Sequence, residues 1–246
     1  MDGVLILALE TATGCGGVSL TLGGMHGGRL LAECTCQPEV SHSRRLLGSV
    51  QWIMAAAGVS WNDLDGIGVS LGPGSFTGLR IGMAAAKSIA MAAGKPLVGV
   101  PTLDALAFTC TGSDRLLGCL LDARKQEVYA GFYRIGADGN PRSLGVPMAI
   151  SPADLAGRIT EPVLLAGPGA AVYRELFAGF DSVRILPAPF SALRAATVGF
   201  IAGDMLGQGR TMDPATAAPL YVRASEAELN FLKAGGRAGE TAGKTG

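Results

Sequence analysis

With 246 residues, 48% hydrophobic side chains and 16% charged ones against about 25% in an average protein, the chain has ample material for a core. It suits one large domain or two small ones. Twenty basic and twenty acidic residues cancel, so the basic surplus of a protein that binds RNA unaided is missing, and no apolar run reaches the roughly 20 residues that span a bilayer. The start, Met1-Asp2-Gly3, lacks the basic run of a signal peptide. The cysteines Cys15, Cys34, Cys36, Cys110 and Cys119 contain no C-x-x-C pair. A cytoplasmic protein with free, buried thiols is therefore expected.

Val4 to Ala8 is a continuous apolar run closing on Glu10, the pattern of a buried strand. A turn-rich stretch, Thr11 to Gly17, leads to a second strand, Val18 to Leu22, and then to Gly23-Gly24. Cys34 and Cys36 would share one face of a further strand. A helix is predicted around Arg44 to Gly58, because Leu46, Leu47, Val50, Ile53, Met54 and Ala57 follow the helical period and Gly58 is a good stop. Ser41 or Ser43, flanking His42, would cap it. Asn62 or Asp63 opens a short helical turn before the strand Ile67 to Leu71.

That strand enters Gly72-Pro73-Gly74-Ser75-Phe76-Thr77-Gly78-Leu79-Arg80-Ile81-Gly82, followed by an Ala-rich helix ending at Gly94. Strand, glycine turn and helix can place backbone N–H groups against an anion, but no Lys follows the last glycine, so this is not a Walker A loop. From Gly74 onward every fourth residue is small: Gly74, Gly78, Gly82, Ala86, Ala90 and Gly94. Residues four apart lie on one helix face, so another backbone can approach this ridge closely. It belongs either to the chain's own sheet or to a partner's helix. Arg80 and Lys87 share another helix face, for which solvation is the default.

The second half repeats the sketch. Leu116 to Leu121 ends in Asp122 and leads to the strand Val128 to Tyr133 and the turn Ala137-Asp138-Gly139-Asn140. Ser151-Pro152 reads as an N-cap and first helical position. Val163 to Ala166 enters Gly167-Pro168-Gly169 and a helix from Ala170 to Phe177. Thr197 to Leu206 is another helix, stopped by Gly207 and Gly209, and residues 233–246 are polar, Gly-rich and expected to be disordered.

Two such halves describe an α/β chain with the duplicated ribonuclease-H-like fold of actin, sugar kinases and heat-shock ATPases. The lobes are expected at residues 1–106 and 107–212, with 213–232 packing back on the first. In that fold a nucleotide lies between the halves, which makes Glu10, Gly72, Gly74, Ser75 and Asp122 candidate nucleotide-facing residues. The structural alternative is that both acids bond turn N–H groups or face solvent, and that both glycine turns only permit close packing. Two other features carry no chemistry. His42 lacks the G-x-S-x-G and orienting groups of a hydrolase. Gly243-Lys244-Thr245 imitates the end of a Walker A loop, but Ala238 stands where its first glycine belongs.

Several segments together resemble one family: Leu7-Ala8-Leu9-Glu10-Thr11-Ala12-Thr13, His42, the block Gly72 to Arg80, Lys95-Pro96-Leu97-Val98-Gly99-Val100, Leu120-Leu121-Asp122-Ala123-Arg124 and Ala218-Pro219-Leu220-Tyr221-Val222-Arg223. The chain is similar from about residue 4 to 225 to the TsaB (YeaZ) family. That resemblance implies a non-catalytic partner of the paralogue TsaD. With TsaD and the ATPase TsaE, it forms N6-threonylcarbamoyladenosine beside the anticodon of tRNAs reading codons that begin with A. It implies contact with tRNA through the complex, no membrane association, and ATP or ADP with magnesium only in the complex. TsaD-like chains carry H-x-x-x-H where this chain has Thr102 and Leu106, and only His26 and His42 exist elsewhere. No metal ligands and no catalytic residues are assigned. The family's two N-terminal helices join TsaD, or a second copy, in a bundle. This makes Leu46, Val50, Ile53, Gly78, Leu79, Gly82, Met83 and Ala86 the expected partner face. The competing expectation is a weak actin-like ATPase or kinase using Glu10, Asp122 and the glycine turns.

Overall fold

The computed structural model describes residues 3–14, 16–36 and 42–222. Expectations for the Ser41 cap, the His42 and Ser43 side chains, Cys15 and the tail beyond 222 lie outside the described residues. The first sheet has five strands. The central strand β1 (Leu5–Glu10) pairs antiparallel with β2 (Gly16–Leu22), which pairs antiparallel with β3 (Arg29–Cys36). On its other side β1 runs parallel to β4 (Gly66–Gly72), which runs parallel to β5 (Leu97–Pro101). Every residue of β1 is buried, as a continuous apolar strand covered on both faces requires.

The second sheet repeats this plan. β6 (Leu116–Asp122) pairs antiparallel with β7 (Val128–Ile135) and parallel with β10 (Val163–Ala166), which pairs parallel with β11 (Val183–Ile185). The short strands β8 (Pro141–Ser143) and β9 (Met148–Ile150) both pair with β7. A hairpin followed by a parallel strand, used twice, is the duplicated ribonuclease-H-like arrangement, and the protein is two-lobed and α/β.

The alternation of β1 separates two cores. Leu5, Leu7 and Leu9 point to the face covered by α1 (His42–Ala57) and α2 (Phe76–Ala93), where they meet Val50, Ile53, Met83 and Ala86. Ile6 and Ala8 point to the opposite face, covered by α3 (Thr102–Phe108) and α7 (Ala195–Gly207). That second core also contains Leu117, Cys119 and Tyr133, so it joins the two sheets. Tyr133 donates its hydroxyl hydrogen to Asp104 Oδ1 at 2.8 Å, a further link between lobes. The third core, around Leu120, Leu155 and Phe177, holds α4 (Pro152–Gly157), α5 (Pro168–Val172) and α6 (Arg174–Phe177) on the far side of the second sheet.

Two expectations are corrected. The unit 107–212 does not pack as one lobe, because α7 lies on β1, β2 and β4 of the first sheet. Small residues on both sides allow it: a Cβ added to Gly68 would stand 2.9 Å from the Ala202 Cβ, and one on Gly199 would stand 2.5 Å from Thr21 Oγ1. The helix expected from Ala170 to Phe177 is two short helices, broken at Tyr173, whose φ of −104° and ψ of 27° are not helical. Other local signals act as the residue types suggest. Ser75 caps α2 by accepting the Gly78 N–H at 3.3 Å, Gly94 ends it with φ 62°, and Ser151 caps α4 ahead of Pro152.

Residues 213–222 run back over the first lobe. Met212 N–H donates to the Leu97 carbonyl at 2.8 Å and Leu220 N–H to the Leu71 carbonyl at 2.7 Å. Lys87 Nζ donates to the carbonyls of Ala215 and Ala217 at 3.3 and 3.0 Å. Arg80 lies 3.8 Å over the Phe76 ring and donates Nε–H to the Tyr221 hydroxyl at 3.1 Å. The two cations of α2 thus hold this segment rather than forming a merely solvated face.

Candidate functional site

Glu10 ends β1 at the mouth of the first hairpin turn, with 1% of its surface exposed. Its Oε1 accepts the Ala12 N–H at 2.6 Å and its Oε2 accepts the Thr13 hydroxyl at 3.0 Å. Burial pushes this carboxyl up from its ordinary 4.5 to about 7, against the opposing pull of the hydrogen bonds. A carboxylate whose two oxygens serve its own turn is a poor ligand for a magnesium-bound nucleotide.

The glycine turn is closed by the chain itself. A Cβ added at Gly72 would overlap the Leu220 carbonyl oxygen, and one at Gly74 would overlap that of Ala12. Gly72 N–H donates to Thr102 Oγ1 at 3.0 Å, and Ser75 N–H donates to the Ala12 carbonyl at 2.7 Å. Gly74 and Ser75 therefore lie against the first turn through Ala12, whereas Gly72 packs on Leu220 and bonds Thr102. Glu10 thus bonds its own turn, and Gly72 and Gly74 pack closely on backbone, which is the structural alternative open to them. Ser75 is exposed and acts as the cap of α2. Asp122 stands at the matching end of β6, half-buried, where Oδ1 accepts the Arg124 N–H at 2.9 Å. The Arg124 N–H and guanidinium that Asp122 meets belong to its own turn.

The small ridge of α2 also faces inward. Added Cβ atoms at Gly78 and Gly82 would overlap the Thr11 carbonyl and hydroxyl oxygens. Leu46, Val50, Ile53, Leu79, Met83 and Ala86 are all at most 6% exposed in the isolated chain. These residues, together with Gly78 and Gly82, form core and not a free partner face. The physical reason is that the glycine spacing lets the β1–β2 turn sit directly on the helix.

The outward sides of the same helices look different. Leu47 is 55%, Trp52 61% and Met91 66% exposed, beside exposed Ala55, Ala56, Ala84 and Ala92. No charged residue occurs from Leu46 to Ala57. Trp52 is absent from the sequence-based candidates, although its position off the Leu46–Val50–Ile53 stripe is the signal that could have found it.

Thr102 and Leu106, the positions of the His pair in TsaD-like chains, are both fully buried. Thr102 accepts the Gly72 N–H, and Leu106 packs on Gly167. Among the described residues, no group of three or more His, Cys, Asp or Glu side chains gathers to hold a metal. No helix among them is long and apolar enough to cross a membrane.

A family model described as TsaD, tRNA N6-adenosine threonylcarbamoyltransferase, matches residues 37–231. The tRNA threonylcarbamoyladenosine biosynthesis protein TsaB of Escherichia coli is 31% identical over 225 residues, covering 89% of this chain and 94% of that protein. The chain belongs to the TsaB/YeaZ family. The Bacillus subtilis TsaB is 26% identical over 93% of the chain. The structure of YeaZ from Pseudomonas aeruginosa, 28% identical, superposes with a TM-score of 0.73 over 89% of this chain and 99% of its own. That YeaZ structure shares the two-lobed frame of this TsaB/YeaZ family member.

Proposed function

We propose that this chain acts in the biosynthesis of threonylcarbamoyladenosine in tRNA as a non-catalytic partner that supports a TsaD-type subunit. The observation that carries the non-catalytic part is the closure of the first turn. Glu10, Gly72 and Gly74, which an ATPase of this fold would turn toward phosphates, are bonded to or covered by Ala12, Thr13 and Leu220. ATP or ADP and magnesium then belong to the assembled complex, with TsaE and tRNA as its further members.

The partner surface is the outer side of α1 and α2, and a second copy of this chain would use the same side. An exposed Trp on the uncharged stretch of α1 and an exposed Met on α2 are residue types enriched at protein interfaces. Trp52→Glu should leave the free chain folded, because the side chain already meets solvent, while weakening association with the TsaD-type subunit at least tenfold. Co-purification checks this, beside tRNA modification assayed with each component omitted in turn. Wild-type co-purification by the variant would remove the surface assignment. Magnesium-dependent ATP hydrolysis by the isolated chain, abolished in Glu10→Gln, would replace the scaffold reading with the ATPase one.

A further inference from the structure

Three consecutive non-glycine residues in the β6–β7 turn, Arg124, Lys125 and Gln126, have φ of 61°, 51° and 61°. Left-handed backbone crowds an L-residue's Cβ against the next carbonyl, so it normally occurs singly. Here it is held in place by the Arg124 N–H on Asp122 Oδ1 at 2.9 Å, the Glu127 N–H on the Arg124 carbonyl at 2.9 Å, and the Ala123 N–H on the Glu127 carbonyl at 3.0 Å. The tip residues 124–126 are exposed, while the flanking acids Asp122 and Glu127 are half-buried at the base. The outermost charges are consequently both positive.

Arg124 is also loosely engaged. Its side chain is 87% exposed and its Nη1 meets Asp122 Oδ2 only at 3.5 Å. Elsewhere on this lobe Arg134 meets Glu161 at 2.5 Å and Arg142 meets Asp138 at 2.6 Å. Strained backbone that buries nothing tends to mark a site where side chains are presented to a ligand. All three tip residues are exposed, so the tip can touch an extended polyanion. We propose that Arg124 and Lys125 bind backbone phosphates of RNA, giving this neutral chain a local contact to an RNA held jointly with its partner. This assignment rests on the proposed function, which supplies RNA as the source of phosphate.

The test uses the full chain reconstituted with a TsaD-type subunit and unmodified tRNA, with binding measured across a salt series. Arg124→Gln combined with Lys125→Gln should weaken tRNA binding about tenfold and lower the slope of log K against log salt by about 1–2, leaving assembly and thermal midpoint unchanged. The swapped pair Arg124→Lys with Lys125→Arg, which keeps both charges, should bind as the wild type does. Unchanged affinity and slope in the neutral variant would overturn the proposal. So would equal losses in the swapped variant. A neutral variant that loses ADP but not tRNA would overturn it in favour of a nucleotide contact. One that no longer assembles would overturn it in favour of a protein contact. If the wild-type chain itself fails to assemble with the TsaD-type subunit, the functional reading falls and takes this assignment with it.

Discussion

The turn after β1 and the turn after β6 occupy equivalent places in the two sheets, and they have been put to opposite uses. In the first, Thr11 and Ala12 are at most 2% exposed and lie against Gly74, Gly78 and Gly82 of α2 and its entry turn. Its acid, Glu10, is sealed in with them. In the second, Arg124, Lys125 and Gln126 stand in solvent on a left-handed backbone, and Asp122 remains half-buried. The difference lies in the helix that packs beside each turn. A long glycine-ridged helix docks on the first, whereas the short α5 packs through Gly169 on the backbone of Leu120 and Leu121 and the tip residues 124–126 of the second turn stay exposed. A duplicated frame can thus keep its strands while its two turns diverge into a buried joint and an exposed tip.

The sharpest way to break this comparison is to add a methyl group to the buried joint. Gly78→Ala would drive a Cβ into the Thr11 carbonyl, and backbone cannot swing aside as a flexible side chain can. A loss of about 3 kcal/mol is expected, at the upper end for overpacking. Gly48 on the outer side of α1 meets nothing within 4 Å, so Gly48→Ala should instead add about 0.5–1 kcal/mol through helix propensity. Denaturant unfolding of both variants checks the pair. A tolerated Gly78→Ala would show that the ridge is not pressed on the turn.

A somewhat smaller effect should come from Glu10. Its folded-state value of about 7 lies above the ordinary 4.5, so the folded protein holds a proton that the unfolded chain has begun to release. Stability from this group is therefore complete below pH 4.5, declines as pH rises through the interval to about 7, and is flat beyond. Glu10→Gln has no proton to lose. Relative to wild type, its stability should rise across that interval by about 2–3 kcal/mol. Unfolding curves at pH 5 and pH 8 measure it, and parallel behaviour of the two proteins would mean that Glu10 is ionised at little cost.

The smallest effect is expected on the other turn. Gln126→Gly relieves left-handed strain of about 1–2 kcal/mol but adds unfolded-state freedom of about 0.5–1 kcal/mol. A net gain near 0.5–1 kcal/mol results, or a thermal midpoint about 2 °C higher. A lower midpoint would show that the side chain of Gln126 matters to the fold and that the second turn is also structural.

The sequence by itself determined the strands and helices whose apolar period is unbroken, because burial needs only the local pattern. The run before Glu10, the stripe Leu46–Val50–Ile53 and the helix closed by Ser75 and Gly94 are of this kind. It also determined that some backbone must come close to Gly74, Gly78 and Gly82, since side chains are missing at a fixed spacing. Which backbone arrives there was decided only by tertiary structure. Spacing along a helix records how near a neighbour comes and not whose it is, and here the neighbour is Thr11 and Ala12. The same limit explains α7. Its small residues mark a close-packed helix, yet only the folded chain carries it back to Gly68 and Thr21 of the first sheet. The second turn was the least legible part. Left-handed geometry at Arg124, Lys125 and Gln126 is imposed by bonds from Asp122 and Glu127 across the hairpin, and no glycine in the sequence announces it.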